Sequence, residues 1–430
     1  MKFSRKGKTV AAGLALAAWM LAVAAPTRAE DAASLEDRVR RLEEQLREKG
    51  GASSGEGGVA APQGLYRDSE GFHIGATSLG AYGEAIYNNR LRRSEKDQFD
   101  LRRVVLFVGH EFSDEWRFFT EIEFEHAQVL DLEQAFLDWQ PSHYLGFQTG
   151  LLLVPLGVVN PIHEPTTFYF AERPRVDRVL IPTTFRELGV LSYGSLGEFS
   201  YQLGIVNGGR PVGEICPTGG CASLDGFSTN GIRSMQQNGN EAEANDFAVV
   251  GRFTYTPVNG LTLGAGAYSG EFDQNTVGAG VPRDARITIA EADVRWQWED
   301  LEIRGQYVAT HIGDAAALNA YSAGRGGAGN RVPEHMHGGY AEAAYNVLPV
   351  LGLATKQKLY AAFRGEWLDL QATLASNGVR DPKGRQDEYQ FGLAWKPVEG
   401  VVLKADYQIR MDDSASGVAN QVNAAAGFSF

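Results

Sequence analysis

Two cysteines in 430 residues leave too few thiolates for a disulfide-built fold or an iron–sulfur centre. Cys216 and Cys221 stand in Cys-Pro-Thr-Gly-Gly-Cys. In an exported chain such a pair is expected to close a small disulfide loop, with no catalytic role. Basic charge is also scarce: 40 Lys and Arg face 53 Asp and Glu, for a net charge of −13. That balance excludes nucleic acid as an expected partner. Long apolar runs are missing too, apart from one at residues 10–25. It falls short of the roughly 20 residues that a bilayer-spanning helix needs. Lys2, Arg5, Lys6 and Lys8 precede it, and Thr27-Arg28-Ala29 follows. The pattern is that of a secretory signal peptide over residues 1–29, with cleavage after Ala24 or Ala25 as variants. Removing residues 1–29 takes away five basic side chains and leaves a formal charge of −18.

Glycine is abundant, with 51 residues where an ordinary protein of this length has about 7%. With aromatics at 10% and no spanning helix, this composition fits a protein of many antiparallel strands. A short helix comes first. Leu35, Val39, Leu42 and Leu46 repeat at spacings of four, three and four, which predicts a coiled-coil helix over residues 30–49. Ser34 and Asp37 resemble a capping box, and Gly50 supplies the stop. A Gly-, Ser- and Ala-rich linker then runs through 50–71.

From about Phe72 the period becomes two. Phe247, Val249, Phe253 and Tyr255 alternate with Ala248, Val250, Arg252 and Thr254. Phe363 and Trp367 face away from Arg364 and Glu366. A soluble sandwich buries such an apolar face between sheets, whereas an outer-membrane barrel turns it to lipid and keeps a polar lumen. The end of the chain favours the barrel. Val422, Ala424, Ala426, Phe428 and Phe430 share one face, and an aromatic residue ending an alternating strand resembles the signal read by barrel-assembly machinery. Sixteen strand-like runs can be counted, the first over 72–87 and the last over 418–430. The predicted fold class is therefore all-β, a transmembrane antiparallel barrel over residues 72–430 with an outer-membrane location. Polar segments at 207–245 and 312–337 are expected to be outer loops. Residues 151–187 differ from these: Pro155, Pro161, Pro165, Pro174 and Pro182 forbid a regular strand, yet many apolar residues argue against disorder. A segment folded into the lumen and narrowing the pore accounts for both.

Four short elements then occur in order: Arg102-Arg103, a stretch from Gly150 to Pro155, Phe170-Ala171-Glu172-Arg173, and Arg186-Glu187-Leu188-Gly189. Together, across residues 99–207, they resemble the phosphate-selective porin O and P family. The resemblance implies a sixteen-stranded homotrimer passing small hydrophilic or anionic solutes. It departs at Val105 and Leu153, where that family often carries Arg and Lys. The expected selectivity is accordingly a weak anion preference without a dedicated phosphate site. Candidate pore-lining residues are Arg102, Arg103, Arg173, Arg175, Arg178 and Arg186, with Glu121 and Glu123 on the lumen wall. The arginines in 151–187 have two readings, a lumenal charge or a salt bridge to Glu172, Asp177 or Glu187.

Enzyme signatures are not expected here. The glycines of 324–329 meet the dinucleotide spacing, but Arg331-Val332-Pro333 follows where a helix is required. His335 and His337 are read as loop residues without enough further ligands for a metal. No cofactor and no metal is expected. Two other classes stay open: a secreted soluble all-β protein, and a barrel serving mainly as an adhesin or envelope tether.

Overall fold

The computed structural model describes residues 65–68, 71–92, 96–210, 231–274, 285–323, 331–414 and 417–430. The signal peptide, the coiled coil, most of the linker, the Cys216–Cys221 pair and the 324–329 glycines lie outside the described residues.

Alternating apolar and polar side chains give strands, and the strands close on themselves. A small hairpin, β1 (Leu65–Asp68) and β2 (Gly71–Ile74), leads in. Eight barrel strands follow: β3 (Thr77–Arg90), β4 (Gln98–Glu111), β5 (Trp116–Glu125), β6 (Val129–Ser142), β7 (Leu145–Leu153), β8 (Arg186–Leu196), β9 (Phe199–Asn207) and β10 (Phe247–Val258). Eight more complete the wall: β11 (Leu261–Glu271), β12 (Arg286–Trp298), β13 (Leu301–Ile312), β14 (Pro333–Asn346), β15 (Lys358–Leu374), β16 (Arg385–Lys396), β17 (Val401–Asp412) and β18 (Gln421–Ser429). Each pairs antiparallel with its neighbour in sequence, and β18 returns to β3 in a register running from Gln421 opposite Arg90 to Ser429 opposite Tyr82. Two further bonds join Phe430 and Ala81, each amide donating to the other's carbonyl at 2.8 and 2.9 Å. The barrel thus closes with sixteen strands, β3 to β18.

The two faces of the wall are inverted relative to a water-soluble protein. Phe363 is 42% exposed, whereas its neighbour Arg364 is 1% exposed. Such a surface suits hydrocarbon outside and polar contacts inside. Aromatic rings gather at the end of the barrel with the short turns. Trp139 stacks between Trp116 and Phe147 with centroids 5.8 Å apart on each side, and Phe199 stacks on Tyr255 at 4.5 Å. Among the described residues no helix is long and apolar enough to cross a membrane.

Each of the sixteen expected runs overlaps one barrel strand, with three local corrections. The run over 72–87 contains a turn at Gly75, where φ is +62°, so β2 and β3 are separate strands. His335 and His337 belong to β14 rather than to a loop. His337 Nδ1 lies 3.0 Å from the Tyr307 hydroxyl, and His335 stacks with His311 at 4.5 Å. The 207–245 and 312–337 connections are not simply outer excursions. Ile232 and Met235 of the first are fully buried, and the second contains a helix, α2 (Ala315–Ala323), whose Leu318 is also buried.

These residues meet the segment between β7 and β8, which runs inside the barrel. It contains a 3-10 turn over Pro165–Thr167 and a short kinked helix, α1 (Val176–Val179). Val154, Leu156, Val179, Leu180, Ile181 and Phe185 pack against inward-facing Tyr268, Ile287, Ile289, Val308, Met336 and Leu368. One side of the interior is therefore an apolar core, which a purely polar lumen does not anticipate.

An irregular segment carries amides and carbonyls that no ladder satisfies, and a buried one must bond elsewhere. Here the wall's side chains serve. The amides of Val158, Ala171 and Val176 donate to Gln306, Asp406 and Glu366 at 3.1, 2.8 and 2.6 Å. The carbonyls of Phe170 and Glu172 accept from Lys404 and Arg364 at 3.1 and 3.0 Å. Opposite, the His163 carbonyl accepts from Arg103 at 2.7 Å.

Two expectations follow. Deleting Phe430 removes its pair of bonds to Ala81 and should lower the yield of folded barrel, read as the band that shifts on boiling; an unchanged yield from a chain ending at Ser429 contradicts this. Asp177, in α1, is buried, and its carboxyl is pushed up to about 8 by that burial and then by the charge of Glu366. The folded state holds this proton more tightly than the unfolded chain, so stability is lost as pH rises from about 4 to 8 and is flat above. Hydrogen-exchange protection of residues 154–185, corrected for intrinsic rates, should fall across that window in the native protein and not in Asp177→Asn. Equal profiles for the two contradict it.

Candidate solute passage

Strict alternation would send adjacent arginines to opposite faces. Arg102 and Arg103 nevertheless both face inward, because β4 carries a β-bulge there: Glu84 opposes Arg103 and Ala85 opposes Leu101, leaving Arg102 as the extra residue. A second bulge lies two strands away. Glu121 opposes Gln134 and Ile122 opposes Leu132, so Glu133 is the extra residue of β6 and also faces inward. Paired charged or polar neighbours inside a strand pattern, Arg102-Arg103 and Glu133-Gln134, are the sequence trace of these bulges.

Arg102 reaches Glu172 of the inner segment at 3.1 Å, and Arg178 reaches the other oxygen of the same carboxylate at 3.2 Å. Asn88 adds a third donor at 3.2 Å. Burial alone would raise the Glu172 carboxyl, but Arg178 and Arg102 hold it down at about 2. Arg103 pairs with Glu84 at 3.0 Å, and Arg186 pairs with Asp131 on β6.

The other two predicted arginines have no carboxylate partner among the described residues. Arg173 donates to the Thr184 hydroxyl, at 3.4 Å. Burial and then the charge of Arg103 lower it to about 10. Arg175 is lowered to about 10 by burial and then by Arg178 and Arg410. Both remain cationic at neutral pH. Of the two readings of the inner arginines, Arg178 takes the salt bridge to Glu172, while Asp177 and Glu187 pair with no arginine among the described residues. Glu187 instead accepts the Gln237 amide at 2.7 Å. On the wall, Glu121 accepts from Gln134 at 2.6 Å, and Glu123 lies opposite Asp131.

The space beside the inner segment is polar. One cavity of about 350 Å³ is lined by Arg90, Arg102, Arg175, Arg178, Arg233 and Arg410, with Asp100, Glu125, Glu172 and Glu388 as its carboxylates. A second, of about 180 Å³, brings together Arg102, Arg103, Arg173, Arg178, Arg186 and Arg233, with Glu123 among its carboxylates. All six predicted arginines thus share one or both cavities. Arg233, Arg410 and Arg90 were not anticipated. Arg233 comes from a connection read as an outer loop, and only its buried neighbours Ile232 and Met235 hint that the chain turns inward there. Val105 faces inward opposite both Tyr82 and Glu123 and is fully buried, so no basic group stands at that point of the wall.

No protein-family model matches the chain, and the resemblance to the phosphate-selective porin O and P family gains no support from that side. Solved structures share the barrel. OmpF of Salmonella typhi, in complex with daunomycin, superposes with a TM-score of 0.55 at 9% identity, covering 85% of this chain and 100% of that one. The outer membrane channel DcaP of Acinetobacter baumannii gives 0.50 at 12% identity, covering 85% and 99%. At such identities the likeness is one of fold. An uncharacterized protein of Aquifex aeolicus (strain VF5) is 33% identical over 344 residues, which are 77% of this chain and 74% of that protein. The chain belongs to the same family as that Aquifex aeolicus protein, and its closed sixteen-strand barrel has the fold of the outer-membrane porins.

Proposed function

We propose that this protein forms a water-filled channel in the bacterial outer membrane for passive diffusion of small hydrophilic solutes, with a weak preference for anions. The observation that carries the reading is a closed barrel, apolar outside, whose remaining interior space is lined by guanidinium groups. Six arginines face four carboxylates around the larger cavity. At a constriction such local charge outweighs the net charge of the chain, because more distant groups are screened beyond about 8–10 Å in physiological salt. Pairing limits the preference, since Arg102, Arg103, Arg178 and Arg186 all have carboxylate partners. The inward position of Val105, where a basic residue would strengthen an anion path, argues against a dedicated phosphate site.

Arg173, Arg175 and Arg233, which have no carboxylate partner among the described residues, should set the sign of selectivity. A unit charge about 6 Å from a passing ion in a water-like dielectric is worth about 0.7 kcal/mol, or roughly threefold in relative permeability. Replacing Arg175 and Arg233 by Gln should therefore shift the reversal potential in asymmetric salt towards cations, and Arg186→Gln should shift it less. Cation preference in the native pore, or micromolar phosphate blocking chloride current, contradicts the reading.

For assembly we propose a homotrimer set in outer-membrane lipid, delivered by the barrel-assembly machinery through Phe428 of β18 and the terminal Phe430. The trimer rests on the resemblance across residues 99–207 and not on the coiled coil, whose two heptads specify little. Deleting residues 34–49 should leave the trimer intact on size-exclusion chromatography with light scattering. Monomers after that deletion would assign the assembly to the helix.

A further inference from the structure

We infer that Glu121, Glu133 and His163 form a binding site for a divalent transition-metal ion that fastens the inner segment to the barrel wall. The inference does not depend on conduction. One ligand atom from each of the three lies within 4.8 Å of the others, and all three residues are buried. They come from β5, from the bulge of β6 and from the inner segment, so an ion held among them would join two strands to the chain crossing the interior.

The hydrogen bonds around His163 leave a place that calls for a cation. Its Nδ1 lies 3.0 Å from the carbonyl of Asn160, which can only accept, so Nδ1 carries the proton. Nε2 faces Glu133 Oε2 at 3.3 Å and the Tyr82 oxygen at 2.9 Å. Tyr82 spends its own proton on the same Glu133 oxygen, at 2.8 Å. If the imidazole is neutral, the Tyr82 proton can serve Nε2 only by leaving that Glu133 oxygen, so one of the two acceptors goes without a donor. Either a second proton or a metal ion resolves the contact.

Two further observations favour the metal. Glu133 is fully buried, and its second oxygen, Oε1, has no hydrogen-bond partner. A single proton on Nε2 leaves that oxygen unanswered, whereas an ion can bind the carboxylate through it. Charge points the same way. Glu84, Glu121, Glu123 and Glu133 face inward from β3, β5 and β6, against the guanidinium groups of Arg103, which is already paired with Glu84, and of Arg173. A dication balances such a wall better than one proton does.

The surroundings have the form of a metal site's outer layer. A ligating histidine normally donates its other ring nitrogen to a carbonyl or carboxylate, as His163 does to Asn160. Gln134 orients Glu121 through a 2.6 Å bond to Oε2, and Tyr82 orients Glu133. One imidazole with two carboxylates is a borderline donor set, suited to Zn²⁺, Mn²⁺ or Fe²⁺.

The test uses the folded full-length barrel in detergent, stripped with chelator and then titrated with Zn²⁺ and, separately, Mn²⁺ by equilibrium dialysis with elemental analysis. The expected result is one ion per chain, with affinity at least tenfold weaker in both Glu133→Gln and His163→Ala. Tyr82→Phe should retain the ion with reduced affinity. Boiling-sensitive migration checks that each variant is folded, and Glu121→Gln replaces any that is not. No ion retained by the folded native barrel would leave His163 as a plain imidazolium and overturn the proposal. Binding that survives both Glu133→Gln and His163→Ala would also overturn it, by placing the ion elsewhere, for example at His311 and His335.

Discussion

Backbone amides and carbonyls must find partners wherever water is absent, and this constraint governs both layers of the molecule. In hydrocarbon an open sheet edge would leave a row of groups unbonded, each costing several kcal/mol. The sixteen strands avoid that cost by closure, with β18 paired to β3 along its length and Phe430 bonded to Ala81. Inside, the same constraint falls on the segment between β7 and β8, whose prolines rule out a ladder of its own. Its amides and carbonyls are met by charged and amide side chains of the wall.

Much of the charge on the inner wall therefore serves architecture before it serves any solute. Asp406, Glu366, Lys404 and Arg364 are each tied to the backbone of the inner segment. That use consumes charge which would otherwise face the passage, and it localises the remaining field to the arginines around Glu172. Counting charged residues on lumenal faces would overstate the field an ion meets.

The wall was legible in the sequence because a strand's side-chain period of two is local: Phe363 and Arg364 reveal their opposite faces without knowledge of any partner. The five prolines between Leu151 and Glu187 likewise marked a stretch that could not be a strand. What could not be read depends on contacts distant in sequence. The turn inward of Ile232 and Met235, which carries Arg233 to the cavities, is decided by packing on Val179 and its neighbours, for which the polar composition of 207–245 gives no sign. Bulges are intermediate. Arg102-Arg103 and Glu133-Gln134 break the alternation and could have been read as extra residues, but only the facing strand shows which residue is extra. In the sequence His335 and His337 read as loop residues because glycines precede them, whereas the ladder with β13 and β15 extends β14 back to Pro333.

The account stands or falls on whether the space beside the inner segment conducts. Purified barrel added to a planar lipid bilayer should give discrete, stable current steps that grow in proportion to salt concentration. A protein that is folded and membrane-inserted by its boiling-sensitive migration, yet produces no such steps at any voltage or salt concentration, would contradict the account.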